Sequence, residues 1–159
     1  MKKFFLIFCV FFFASSFVSA QTEEGTFLLG GGASYTSQSG TSFLQLNPNV
    51  GFFLMNNYAV GLDLAYSSSD RSTSYAVGPY GRAYFELGDI GKFFGQVGVI
   101  YSGFSNGVSD SKFGWSIGAG YAYFLNQSIA IELGPRYSKV GDGDAVLNIL
   151  LGLQIHFKR

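Results

Sequence analysis

Residues Ala145 to Phe157 show a period-two alternation. One parity holds Ala145, Leu147, Ile149, Leu151, Leu153, Ile155 and Phe157, and the other includes Asn148, Gly152, Gln154 and His156. Successive side chains of a strand point to opposite faces, so the segment reads as a β-strand with one apolar face. Soluble strands commonly stop after about 5–6 residues, whereas a strand that crosses a bilayer needs about 9–11. This segment has the second length, and seven earlier segments carry the same pattern. The chain is therefore expected to be all-β: an eight-stranded antiparallel up-and-down transmembrane β-barrel, preceded by a signal peptide.

The leader is read at the start. Met1-Lys2-Lys3 is basic, Phe4 to Ala14 is apolar, and Val18-Ser19-Ala20 ends in a small-x-small triplet. The apolar run falls short of the ~20 residues that a helical span requires, so 1–20 is expected to be a signal peptide cleaved before Gln21. Cys9, the only cysteine, lies inside it, so 21–159 can form no disulfide and carries no thiolate. Lys2 and Lys3 leave with the leader, and the remaining eight basic residues face ten acidic ones. Nucleic-acid binding wants a basic face and is not expected. Segment 21–159 suits a single domain.

Parity assigns the remaining strands to about 26–36, 42–54, 58–68, 73–87, 93–103, 112–124 and 128–138. Each has a bulky apolar face and a face rich in Gly, Ala and Ser. Volume decides which face points inward. An eight-stranded barrel has an interior just wide enough for side chains to fill, so the small face is expected inside and the apolar face outside, against lipid. A soluble ligand-binding barrel would need the opposite facing.

The links alternate in kind. Those within 37–40, 67–72, 104–110 and 139–143 are Ser/Gly-rich and mostly longer, while those near 55–57, 88–92 and 125–127 are tighter. Membrane barrels carry longer outside loops and short periplasmic turns. On the apolar face, Tyr35, Tyr66, Tyr75, Tyr101, Trp115 and Tyr137 then fall at the outer strand ends. Phe27, Phe52, Tyr58, Phe85, Phe93, Tyr123 and Phe157 fall at the periplasmic ends. This is the arrangement of two aromatic girdles, since amphipathic rings favour the bilayer interface.

Asn47-Pro48-Asn49-Val50-Gly51-Phe52-Phe53 and Gly78-Pro79-Tyr80-Gly81-Arg82-Ala83-Tyr84-Phe85 resemble segments of the small eight-stranded outer-membrane barrels, the outer-membrane protein A/X-like superfamily. The likeness extends over Gly25 to Phe157. It implies a bacterial outer-membrane location and contact with outer-membrane lipids. Gly152, Ile155 and Phe157 match the family's C-terminal assembly signal, which implies recognition by the assembly machinery. Leu150 replaces a usual polar residue, and Lys158-Arg159 trail the usual terminal aromatic.

Asp63, Arg82, Glu86, Glu132 and Arg136 all fall on the inward parity. Buried ions must be paired. A polar plug centred on Arg82 is therefore expected, with Asp63 on the neighbouring strand, Glu86 one inward position on, and Glu132 across the lumen. Pro48, Pro79 and Pro135 oppose the strand assignment, because proline lacks a ladder donor; bulges or a local end of pairing would accommodate them.

No catalytic residue, cofactor or metal site is expected. His156 is the only histidine, and a Ser–His pair needs a close serine with substrate access. Asp142-Gly143-Asp144 lacks a calcium ligand series, and Gly30-Gly31-Gly32 lies within a strand rather than before a helix. The expected role is structural or interactive, with a plugged lumen and short extracellular loops. A narrow pore or small-molecule conduit is the alternative, and a lipid-modifying enzyme a further one.

Overall fold

The computed structural model describes residues 22–38, 41–68, 73–86, 91–104 and 111–158. The expected leader 1–20, Gln21, the link residues 39–40, 69–72, 87–90 and 105–110, and Arg159 lie outside them. The strands are β1 (Thr26–Gln38), β2 (Thr41–Met55), β3 (Tyr58–Ser68), β4 (Thr73–Glu86), β5 (Gly91–Phe104), β6 (Ser111–Phe124), β7 (Ile129–Val140) and β8 (Val146–Lys158). Each pairs antiparallel with its neighbours, and β8 pairs with β1 to close the barrel. The closing ladder runs from Thr26–Lys158 only to Ala33–Leu151. The β5–β6 ladder, by contrast, runs from Gly91–Tyr123 to Gly103–Ser111.

The apolar parity faces outward. Leu62, Leu64, Ile149 and Leu151 are exposed, at 48%, 47%, 69% and 58%. Arg82 is buried and Asp63 is half-buried, both on the opposite parity. The facing that a soluble ligand-binding barrel requires is therefore overturned.

The barrel has two unlike ends. At the terminal end lie Thr22, Lys158 and the tight turns Asn56-Asn57 and Leu125–Ser128. Asn57 takes φ 68°, a left-handed conformation that asparagine accepts more readily than most residues. The segment Thr22–Gly25 folds over this end: Gly25 N donates to Phe53 O at 2.9 Å, and Asn57 N to Thr22 O at 2.7 Å. The opposite, loop end carries the Gly141–Ala145 link.

Rings ring the outer wall at both ends. At the terminal end Phe27 lies 5.0 Å from Phe52 and 5.6 Å from Phe157, and Tyr58, Phe85, Phe93 and Tyr123 are exposed. At the loop end Trp115 lies 5.7 Å from Tyr137, Tyr66 pairs with Tyr75 across β3–β4, and Tyr101 is exposed. The Tyr35 side chain lies outside the described residues.

The prolines sit in the wall without bulges. Pairing between β2 and β3 skips Asn47 and Pro48 but resumes in the same register at Asn49–Asp63. Pairing between β4 and β5 skips Gly78 and Pro79, and that between β6 and β7 skips Gly134 and Pro135. On its other side each proline stays in register, opposite Gly31, Leu62 and Ile149. A missing N–H interrupts only the ladder toward which it would have pointed. Of the two expected accommodations, the local end of pairing is the one found; the register shift between Phe53 and Met55 lies beside the β2–β3 turn, away from the prolines.

Candidate functional site

The lumen holds the charged side chains, in an order set by strand position. Arg82 projects from β4 and Glu132 from β7, on opposite sides of the bore. Arg82 Nη1 donates to Glu132 Oε1 and Oε2 at 2.9 and 3.0 Å, with side chains only 3% and 7% exposed. Tyr84 OH donates to Glu132 Oε1 at 3.0 Å. Arg82 Nε donates to Gln96 Oε1 at 2.8 Å. Gln96 Nε2 in turn donates to Asp63 Oδ2 at 2.6 Å, and Arg136 Nη2 reaches the same oxygen at 3.1 Å. Two cations and two carboxylates therefore close one neutral chain across the bore, and charge-assisted bonds of this kind are the stronger ones. The guanidinium of Arg82 also lies over the Phe94 ring, 4.7 Å from its centroid.

Of the partners expected around Arg82, Glu132 across the lumen is the one it pairs with directly; Asp63 pairs instead with Arg136 and reaches Arg82 only through Gln96. Glu86 is not in the plug. Its side chain is 69% exposed at the terminal rim, 3.1 Å from Lys92 Nζ. Lys92 also donates to Thr22 Oγ1 and Asn57 Oδ1 at 2.7 and 3.1 Å, which ties the N-terminal segment to the rim. Gln96 and Tyr84 were the missed members. Both stand on inward parity among glycines and alanines, and that was the available signal.

A second feature was missed altogether. Below the plug, toward the terminal end, the lumen is apolar: Leu28, Phe53, Ala59, Tyr84, Ala122, Phe124 and Ala130 form a buried cluster, with Phe94 packed against it. His156 is fully buried there, 5.3 Å from Phe124 and 5.8 Å from Phe53, ring to ring, and its backbone N–H donates to Ser128 O at 2.7 Å. The expected inner face is rich in small groups, and the structure gathers its few large apolar members at one height. Large rings fit because glycines and alanines stand opposite, as where Tyr80 covers Gly51 and Gly61.

Among the described residues, the spaces left in the bore are small. A cavity of about 40 Å³ adjoins Asn47, Asn49, Arg82 and Gln154, and one of about 60 Å³ adjoins Asp63, Ser116 and Arg136. Each has room for water but for little else. No group of three or more potential metal ligands occurs among the described residues.

A wall with rings at both rims, aliphatic groups outside and ions inside is a bilayer-spanning design. The family described as Outer membrane protein beta-barrel domain matches residues 5–157. The chain belongs to that family. Three solved outer-membrane barrels show the same fold. The N-terminal β-barrel domain of OprF from Pseudomonas aeruginosa is 14% identical, with a TM-score of 0.68 over 84% of this chain and 98% of that one. Neisserial surface protein A is 14% identical, with a TM-score of 0.62 over 84% and 98%. OprG from Pseudomonas aeruginosa is 14% identical, with a TM-score of 0.63 over 89% and 100%. No curated protein matches the chain. The outer-membrane barrel thus meets lipid with Leu62, Ile149 and their outward neighbours.

Proposed function

We propose that this outer-membrane barrel has a structural or interactive role and does not conduct. The observation that carries the reading is the doubly closed bore: the Arg82–Glu132 pair joins β4 to β7 across the lumen, and the Phe53–Phe124–His156 floor lies beneath it. An ion entering from the loop end would have to displace a buried ion pair and then cross an aromatic layer. Eight strands leave no width for a path around either.

The terminal end faces the periplasm, because short turns and both chain ends share it. The loop end then faces outside, and its short links suit a small contact surface. The two aromatic rings hold the barrel at the depth of the bilayer interfaces. Gly152, Ile155 and Phe157 on β8 present the assembly signal, and residues 1–20 act as a leader removed before Gln21. No catalytic step is assigned, and His156 serves the floor.

Planar-bilayer recording of the purified barrel tests the reading. Steady wild-type conductance would overturn it in favour of a pore. Orientation is tested separately with Gly143→Cys, since Cys9 is the only cysteine in the chain. An impermeant thiol reagent added to intact cells should label it.

A further inference from the structure

The β1–β8 ladder stops while both of its strands continue. Carried on in the same register, it would set Ser34 opposite Leu150 and Gln38 opposite Val146. It does not form there, although β1 stays paired with β2 as far as Gln38–Thr41, and β8 with β7 as far as Ser138–Val146. Every other ladder reaches the loop-end residue of at least one of its strands. The wall is therefore split at the loop end, between its first and last strands.

The direction of the main-chain groups in the split follows from one bond. His156 N–H points toward β7, where it donates to Ser128 O. Such directions alternate along an antiparallel strand. Leu147 and Ile149 therefore turn their N–H and C=O groups toward β1, and Tyr35 and Ser37 turn theirs toward β8. In the split these groups have no ladder partner. Leu147 and Ile149 are also 66% and 69% exposed, against 58% and 43% for Leu151 and Leu153 on the joined part of the strand. Leu147 lies opposite Tyr137 of the loop-end ring. The split thus opens at the interface, where water reaches it, and not deep in hydrocarbon, where bare main-chain groups are not tolerated.

We propose that the β8 side of this split takes up an extended peptide segment of an extracellular protein as an added strand. The proposal rests on the reading of the barrel as an interacting protein with its loop end outside, and it names the chemistry of the partner. Main-chain donors and acceptors at strand spacing are matched by another extended backbone. A helix has its own backbone groups already bonded. A second copy does not fit either. Barrel strands tilt about 35–45° from the axis, so facing strands of two upright barrels cross at roughly twice that angle and cannot lie along each other. Val146–Leu150 spans about 17 Å at ~3.4 Å per residue, the length of an ordinary strand. The added segment would carry apolar groups beside Leu147 and Ile149, and small polar groups beside Asn148 on the inward parity.

The probe is the fluorescent peptide Ala-Ser-Tyr-Thr-Ser-Gln, the sequence of residues 33–38, added to the full barrel in phospholipid nanodiscs. Fluorescence anisotropy should show binding. N-methylation of its Tyr and its second Ser, the positions matching Tyr35 and Ser37, should weaken binding about tenfold, because the two donors toward β8 are lost. N-methylation of its Thr, whose N–H points away from β8, should leave binding unchanged. Closing the split is the second arm. Thr36 and Asn148 would stand as a non-bonded pair, with Cα atoms about 4.5 Å apart, within disulfide range. Thr36→Cys combined with Asn148→Cys should lose binding when oxidised and regain it on reduction, with heat-shifted gel mobility showing that the variant is folded. Absent binding to the wild-type barrel, equal binding of all three peptides, or full binding to the oxidised variant would overturn the proposal. So would barrel dimers that the same closure abolishes, since the occupant would then be a second copy. Nanodiscs expose both ends of the barrel. A reversed label at Gly143→Cys or a steady current would therefore sink the proposed function without altering the peptide result.

Discussion

Replacing Glu132 with alanine should cost about 3–5 kcal/mol, the range for removing one partner of a buried ion pair. The structure says why the upper part of the range applies. Glu132 accepts from Arg82 Nη1 with both oxygens and from Tyr84 OH, and the Arg82 side chain is 3% exposed. The variant keeps a guanidinium in the bore with only neutral partners, Gln96 and Tyr84. The double change Arg82→Met with Glu132→Leu removes both charges and refills the space. Replacement of a buried pair by apolar groups of similar volume is often neutral or stabilising, so the double variant should lie within about 1 kcal/mol of the wild type. Urea unfolding in lipid vesicles reads both, and Trp115, the only tryptophan, packs at a tilt against Tyr137 and reports wall disassembly. A loss below about 1 kcal/mol for Glu132→Ala, or a double variant as unstable as the single one, would refute the account of a buried, mutually dependent pair.

Arg136→Ala should destabilise less than Glu132→Ala in the same assay, because Asp63 keeps its bond from Gln96 and is 16% exposed. Phe53→Ala should cost about 3–5 kcal/mol, as for other buried aromatics reduced to alanine, since Phe53 is fully buried in the floor. Leu62→Arg places a cation on the lipid face and should cost about 2–4 kcal/mol near mid-bilayer, measured by the folded fraction after refolding into vesicles. Arg82→Ala should leave bilayer current at the wild-type level, because the aromatic floor remains; a new steady current would place the seal in the ion pair alone.

The strand pattern was legible because lipid imposes a simple rule on one face. Leu147, Ile149 and Leu151 must all be apolar, whatever they touch, so parity alone locates β8 and its facing. The inside obeys no such rule. Parity places Asp63, Arg82, Glu132 and Arg136 in the bore, yet their partners depend on stagger and tilt around the barrel. A residue on β4 therefore reaches β7 rather than its neighbour on β3. The floor was hidden for the same reason. Phe53, Phe94 and Phe124 lie on the small-residue parity and read as exceptions in their own strands. Only the closed register gathers them at one height. The prolines illustrate a further limit, because which ladder a missing N–H interrupts follows from alternate bonding along the strand.

The β1–β8 joint ends at Ala33–Leu151, well short of the β5–β6 ladder, and it unites the first and last strands of the fold. Contacts between such distant parts of a chain form late, since the intervening loop must be ordered first. This seam is therefore where the cylinder zips shut during insertion and where heat should unzip it first. A chain stalled before that step would present β1 and β8 as open edges, each ready to recruit a strand from elsewhere.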